Sequence, residues 1–189
     1  LPALHHKPYG EWETFSWNQM SEIMFALASA LLNAGIKEQD RVGIYSANRA
    51  EWHLADLGAM LARCVTVPIY ATNTEEEVAY IVNDAEIKVL FVGRQVHYDK
   101  AYPLLDKCPS LEKIVVFHRG TEIHRDSRVI MWDDFLAEGR KDARKKEIED
   151  IMSRAGYDDM GEIIYTSGTT GEPKGAVHTH KTMMHNAWG

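Results

Sequence analysis

The chain has 189 residues, enough for one domain with a substantial core, and its 45% hydrophobic and 26% charged content is that of a globular protein. A formal charge of −7 argues against a general surface for nucleic acid or anionic lipid, since both demand basic patches. Two cysteines, Cys64 and Cys108, without Cys-x-x-Cys spacing argue against a disulfide scaffold and suit a reducing compartment. No signal-peptide pattern opens the sequence, and the most apolar stretch, Ile23 to Ile36, is broken by Ser29 and Asn33 and too short to span a bilayer. The expected location is cytoplasmic, with peripheral membrane contact of a longer protein left open.

Leu1 to Gly10 shows no clear pattern, and His5 and His6 read as solvated, with no carboxylate or cysteine near them. Glu11 to Phe15 alternates like a short edge strand. Ser16-Trp-Asn-Gln19 is a capping box, followed by Trp17, Met20, Met24, Leu27, Ala28 and Leu31 at helical spacing and by Gly35 where a left-handed cap sits. That stripe reads as core and not as a ligand groove. Arg41 to Tyr45 reads as a buried strand. Asn48 with Glu51 opens a second helix, lined on one face by Trp52, Ala55, Ala59 and Ala62. Val65 to Ile69 is a strand, and Thr74 with Glu77 caps a helix over Glu75 to Asp84.

Lys88 to Val92 is a strand, Gln95 to Lys107 a helix that Pro103 kinks or cuts in two, and Leu111 to Phe117 a strand. His118 to Arg128 is a loop, Val129 to Trp132 a short strand, and Asp133 or Asp134 starts a helix near Phe135. Gly139 to Ala155 interleaves basic and acidic residues, the mark of a solvated helix or connector. Asp158 and Asp159 read as a solvated turn in preference to a magnesium site. Strands alternating with helices give an α/β class: a layered, mostly parallel sheet flanked by helices, with right-handed crossovers.

Glu162 to His180 carries the chemistry. The run Ile163, Ile164, Tyr165 reads as a buried strand and breaks into a loop, Thr166 to Gly175, with three glycines, four hydroxyl residues, a proline and a lysine. Glycines let backbone N–H groups crowd around an anion. Thr166, Ser167, Thr169 and Thr170 add neutral donors, and Lys174 adds a mobile charge. The spacing is not the Walker pattern, because Pro173 stands five places after Gly168 where a glycine is needed, and no dinucleotide fingerprint occurs. The competing reading is a glycine and threonine hairpin loop without chemistry. Past the loop, Thr179 caps a helix from His180 through Met184 towards Trp188, and His178 with His180 lacks a third ligand type for a metal.

Tyr165-Thr-Ser-Gly-Thr-Thr-Gly-Glu-Pro-Lys-Gly175 resembles the phosphate-binding signature of the adenylate-forming enzymes: acyl-CoA synthetases, luciferase-like ligases and peptide-synthetase adenylation domains. Leu57 to Thr74, with its Val-Pro turn, and Tyr80-Ile-Val-Asn-Asp-Ala85 are similar to the long-chain fatty acyl-CoA synthetase branch. The resemblance covers nearly the whole chain, most weakly before Glu11 and between His118 and Ala155. It implies part of the large N-terminal domain of that fold, and ATP-dependent activation of a carboxylic acid to an acyl-adenylate with loss of pyrophosphate. Coenzyme A then takes the acyl group, and magnesium shares the phosphate charge. It also implies that Thr166, Ser167, Gly168, Thr169, Thr170, Gly171 and Lys174 hold the phosphates, with Lys174 and Thr170 as catalytic groups and no protein-held metal. Family members are much longer and carry further motifs for adenine, ribose, acyl chain and hinge. Residues 1–189 are therefore expected to be the amino-terminal part of such a ligase, truncated after the loop and inactive alone. Ligases for aryl or amino acids, and a stand-alone phosphate-binding module, are the alternatives.

Overall fold

Leu1 to Gly10 has more structure than its sequence pattern suggests. In the computed structural model, which describes residues 1–7, 10–166 and 172–188, β1 (Pro2–His6) pairs antiparallel with β2 (Glu13–Ser16). Across this ladder His5 Nδ1 lies 2.8 Å from Thr14 Oγ1, and His6 Nε2 lies 3.2 Å from Glu13 Oε2. The expectation of histidines without a nearby carboxylate is corrected by Glu13, which the strand pairing brings opposite His6.

The capping box foreseen at Ser16 starts α1 (Trp17–Asn33). Gln19 N donates to Ser16 Oγ at 3.3 Å, and Ser16 N donates to Gln19 Oε1 at 2.8 Å. Gly35, at φ +85°, takes the left-handed position past the helix end. Trp17 departs from the expected stripe: it is 62% exposed, and the buried face begins at Met20. After β3 (Arg41–Tyr45), α2 (Ala50–Leu61) is capped at Arg49 without a side-chain bond, in place of the expected cap at Asn48. The Arg49 guanidinium instead grips Glu51, at 2.8 and 2.7 Å.

Next come β4 (Val65–Ile69), α3 (Glu75–Asp84) with its Thr74/Glu77 capping box intact, and β5 (Ile87–Val92). Pro103 does cut the following helix, into α4 (Gln95–Ala101) and α5 (Leu104–Lys107). Then follow β6 (Lys113–Val116), β7 (Val129–Met131), α6 (Trp132–Lys141) and α7 (Lys145–Ser153). The charged stretch around α7 is not solvated throughout, because Ile148 and Ile151 turn inward. The described chain ends with β8 (Met160–Thr166), β9 (Lys174–Thr179) and α8 (His180–Trp188).

The large sheet runs β7-β6-β5-β3-β4-β8-β9, with every neighbouring pair parallel except β8 with β9. One face packs Val42, Ile44, Val89, Phe91 and Val115 against α1, α2 and α6. The other packs Tyr45, Val67, Leu90, Val92 and Ile114 against α3, α4 and α5. Strands covered on both sides need near-continuous apolar runs, which is why the sequence shows such runs and little alternation. Cys64 and Cys108 are free and buried, and burial pushes the Cys64 thiol up to about 12, so it is an inert packing group. Among the described residues no helix is long and apolar enough to cross a membrane.

Glycine sets the closest helix approach. A Cβ on Gly139 of α6 would stand 1.9 Å from the Ala26 carbonyl oxygen of α1, a contact with backbone that no rotamer change relieves. Gly139→Ala should therefore lower stability by about 3 kcal/mol, the upper end for overpacking a tight interior. The midpoint of urea unfolding followed by circular dichroism measures it.

Candidate functional site

The loop that the sequence singles out closes a β-hairpin. β8 and β9 pair in the register Ile163 with Val177, Ile164 with Ala176, Tyr165 with Gly175 and Thr166 with Lys174. A strand, Lys174–Thr179, thus follows the loop where the sequence reading placed strand, loop and helix in direct succession. The helix begins at His180 as foreseen, with Thr182 N donating to Thr179 Oγ1 at 3.3 Å. The available signal was slight, the β-branched Val177 and Thr179 beside the glycine-rich run.

Of the expected phosphate-binding residues, Thr166 and Lys174 are placed, and the hairpin brings them face to face. Both are exposed. Ser167, Gly168, Thr169, Thr170 and Gly171 lie outside the described residues. Thr166 is at the carboxyl end of β8, on the same edge of the sheet as the carboxyl ends of β3, β4, β5 and β6, because those strands are all parallel. In open α/β sheets this edge is where ligands bind.

A buried side chain, not the exposed loop residues, holds the hairpin. Tyr165 is buried, and its hydroxyl donates to Asp84 Oδ2 of α3 at 2.5 Å. Burial, with the Asp84 carboxylate beside it, raises the phenol well above its ordinary value, so it stays a neutral donor. Tyr80 meets the ring edge-on at 6.4 Å between centroids. Gly175 has to be glycine there, since a Cβ would reach 2.8 Å from Ile163 Cγ2 and 3.1 Å from the Tyr165 ring. From the sequence Asp84 is the last residue of a helix and part of a resemblance, with no role of its own.

A second group missed from sequence lies beneath α2. Asp56 Oδ1 is buried without a hydrogen-bond partner, and burial raises its carboxyl above the usual range. Thr66 of β4 stands opposite Glu162 of β8 in register. Burial raises the Glu162 carboxyl too, the Asp56 charge adding to the effect while His178, its partner on β9, opposes it. Asp159 is committed elsewhere: its Oδ2 accepts from Gly156 N at 2.9 Å and from Arg63 Nη2 at 2.6 Å. Those bonds hold its carboxyl low. Among the described residues no group of three or more His, Cys, Asp or Glu side chains is placed to hold a metal ion.

Beside the hairpin base opens a mostly apolar hollow of about 550 Å³, walled by Trp52, Pro68, Ile69, Tyr70 and Ile164. The edge therefore offers an exposed ammonium and hydroxyl for an anion and, next to them, a surface for an uncharged group.

Residues 1–189 match the model of the AMP-binding enzymes over their whole length. The chain belongs to the AMP-binding enzyme family. Within the family it is 31% identical over 179 residues to the human long-chain-fatty-acid–CoA ligase ACSBG2, covering 95% of this chain and 27% of that protein. It is 33% identical over 195 residues to the human long-chain-fatty-acid–CoA ligase 1, covering 94% and 26%. Among solved structures, an anthranilate CoA ligase, AuaEII, in complex with anthranoyl-AMP superposes with a TM-score of 0.71 at 25% identity, over 89% of this chain and 30% of that one. The chain spans 25% to 29% of the length of the curated relatives it matches.

The raised carboxyls of Asp56 and Glu162 bind their protons more tightly in the folded than in the unfolded chain, so their contribution to stability falls as pH rises through their folded-state values. Glu162→Gln removes one of the two. Its melting temperature should exceed that of the native chain at pH 8, and the difference should shrink at pH 5, as read by thermal scans in matched buffers.

Proposed function

We propose that this chain supplies the triphosphate-gripping hairpin of an ATP-dependent ligase that joins a long-chain fatty acid to coenzyme A. The observation that carries the reading is the pairing of Thr166 with Lys174 at the carboxyl edge of a parallel sheet, in a chain whose relatives are long-chain fatty acid ligases. A carboxylate oxygen of the acid attacks the α-phosphorus of ATP, an acyl-adenylate forms, and pyrophosphate leaves. The coenzyme A thiol then attacks the acyl carbonyl carbon, loses its proton, and expels AMP.

The hairpin's part is electrostatic. As pyrophosphate departs, negative charge gathers on its bridging oxygen, and fixed donors stabilise that charge more than they stabilise bound ATP. Lys174 would bring the positive charge, and Thr166, Ser167, Thr169 and Thr170, with the N–H groups about Gly168 and Gly171, would bring the neutral donors. Lys174 and Thr170 are the proposed catalytic groups. Magnesium enters as the MgATP substrate, and no described side-chain cluster is assigned to it. The Tyr165 to Asp84 bond keeps the first residue of this cradle in place. Because the chain spans about a quarter of its relatives, we also propose that residues 1–189 alone do not turn over.

The solved anthranilate ligase favours a second reading, in which the acid is aromatic. A panel of fatty, aryl and amino acids, assayed for acid-dependent pyrophosphate release by a protein that extends this chain to its relatives' length, separates the readings. Fatty acids should give the highest kcat/KM. Lys174→Ala should lower kcat by about 100-fold or more, corresponding to about 3 kcal/mol from one lost donor, with a smaller change in ATP affinity. No pyrophosphate release with any acid of the panel would sink the proposal and leave a phosphate-binding module.

A further inference from the structure

The ladder that joins the hairpin to the rest of the sheet is sparse. β3 and β4 pair along their whole length, whereas β4 meets β8 at a single register pair, Thr66 with Glu162. Side chains supply the remaining attachment, one set towards each end of β8. At the amino end the Gln39 amide takes the part of a missing strand. Its Oε1 accepts from Met160 N at 3.2 Å, and its Nε2 donates to Met160 O at 3.3 Å. Arg63 grips Asp159 beside it. Towards the carboxyl end the Tyr165 hydroxyl donates to Asp84. At about 3.3 Å per residue from Met160 to Tyr165, the two clamps stand about 16 Å apart.

Only the Asp84 clamp adjoins the cradle. Tyr165 pairs with Gly175 one rung below the pair of Thr166 with Lys174, so the seat of the phenol sets that of the exposed hydroxyl and ammonium above it. Asp84 does little for its own helix. It is the last residue of α3, where a negative charge opposes the helix dipole, while Glu75, Glu76 and Glu77 occupy the first turn, where acids are favoured. Asp84 is exposed, and its one hydrogen bond among the described residues is the one from Tyr165. Tyr80, one turn earlier on α3, meets the same ring edge-on. A carboxylate set against its own helix dipole and bonded to a buried phenol is accounted for by what it does to the hairpin.

We propose that Asp84 is a positioning residue for the adenylation step: through Tyr165 it holds the Thr166 and Lys174 pair where charge gathers on the departing pyrophosphate. Gln39 anchors the far end of β8 and leaves that pair alone. The inference rests on the ligase reading of the hairpin and deepens it. Fixed donors stabilise a transition state only where they already stand in place, and a displacement of about 1 Å can cost about 100-fold in rate. Loss of the Asp84 clamp keeps the ladder between β8 and β9 and lets the whole rung shift by less than that, so the expected loss is about tenfold.

The test measures acid-dependent pyrophosphate release by the protein that extends this chain to its relatives' length, with thermal melting to establish that each variant folds. Asp84→Ala and Tyr165→Phe should each lower kcat about tenfold and leave the KM of the acid unchanged. The double variant should be no slower than the slower single one, since both substitutions remove the same interaction. Asp84→Asn keeps an oxygen that accepts from the phenol and should restore kcat to within about threefold of native. Gln39→Gly, at a position whose φ of +64° glycine accepts, should leave kcat unchanged. Native kcat in Asp84→Ala overturns the inference, and so does an equal fall in kcat for Gln39→Gly. A native protein that releases no pyrophosphate with any acid overturns the ligase reading itself, and the inference falls with it.

Discussion

Six strands point the same way, and the chemistry depends on that constraint. A parallel sheet sends every carboxyl end to one edge, so residues far apart in the chain, such as Ser46, Gly93 and Thr166, are delivered to a common rim. The connections must return along the faces as helices, and those helices bury both faces in apolar packing. The rim is then the place where polar groups gather without costing core contacts. The hairpin loop and the hollow beside its base both stand there because the strands end there.

The hairpin departs from the parallel pattern, and its attachment is correspondingly specific. β9 runs antiparallel to β8 at the end of the sheet, where packing covers less of it than the central strands. Val177 is 52% exposed while Val67 and Val89 are fully buried. What fixes it is a neutral phenol bonded to a carboxylate on α3, a glycine that lets β9 lie against that phenol, and the pairing of Thr66 with Glu162. Asp56, buried with an unpartnered oxygen beside this joint, is a local cost. Such a cost at the base of a candidate site fits the pattern in which proteins store unfavourable electrostatics near function.

Much of the fold was legible beforehand for reasons that can be named. The capping boxes at Ser16 and Thr74 involve residues three apart, and short-range geometry is written locally. The apolar runs of β3, β4 and β5 exceed what a half-buried strand needs, which announced a covered sheet. Where the reading failed, a distant partner decided. Glu13 faces His6 only because β1 and β2 pair. Arg49 replaced Asn48 as the cap of α2, its guanidinium bonded to Glu51. Lys174–Thr179 became a strand because β8 offered a free edge to pair with.

By itself the sequence determined the order of helices and strands, the two inert cysteines and a loop of glycine, hydroxyl and ammonium chemistry after Tyr165. Each of these follows from propensity, spacing and side-chain type within a dozen residues. Only the tertiary structure decided that Asp84 would hold Tyr165, that the Asp56 charge would bear on the Glu162 proton, and that Lys7, Arg49 and Arg94 would line one cleft past the ends of β3 and β5. Those outcomes depend on strand order and on which face each helix covers, and a linear pattern of residues does not carry that information.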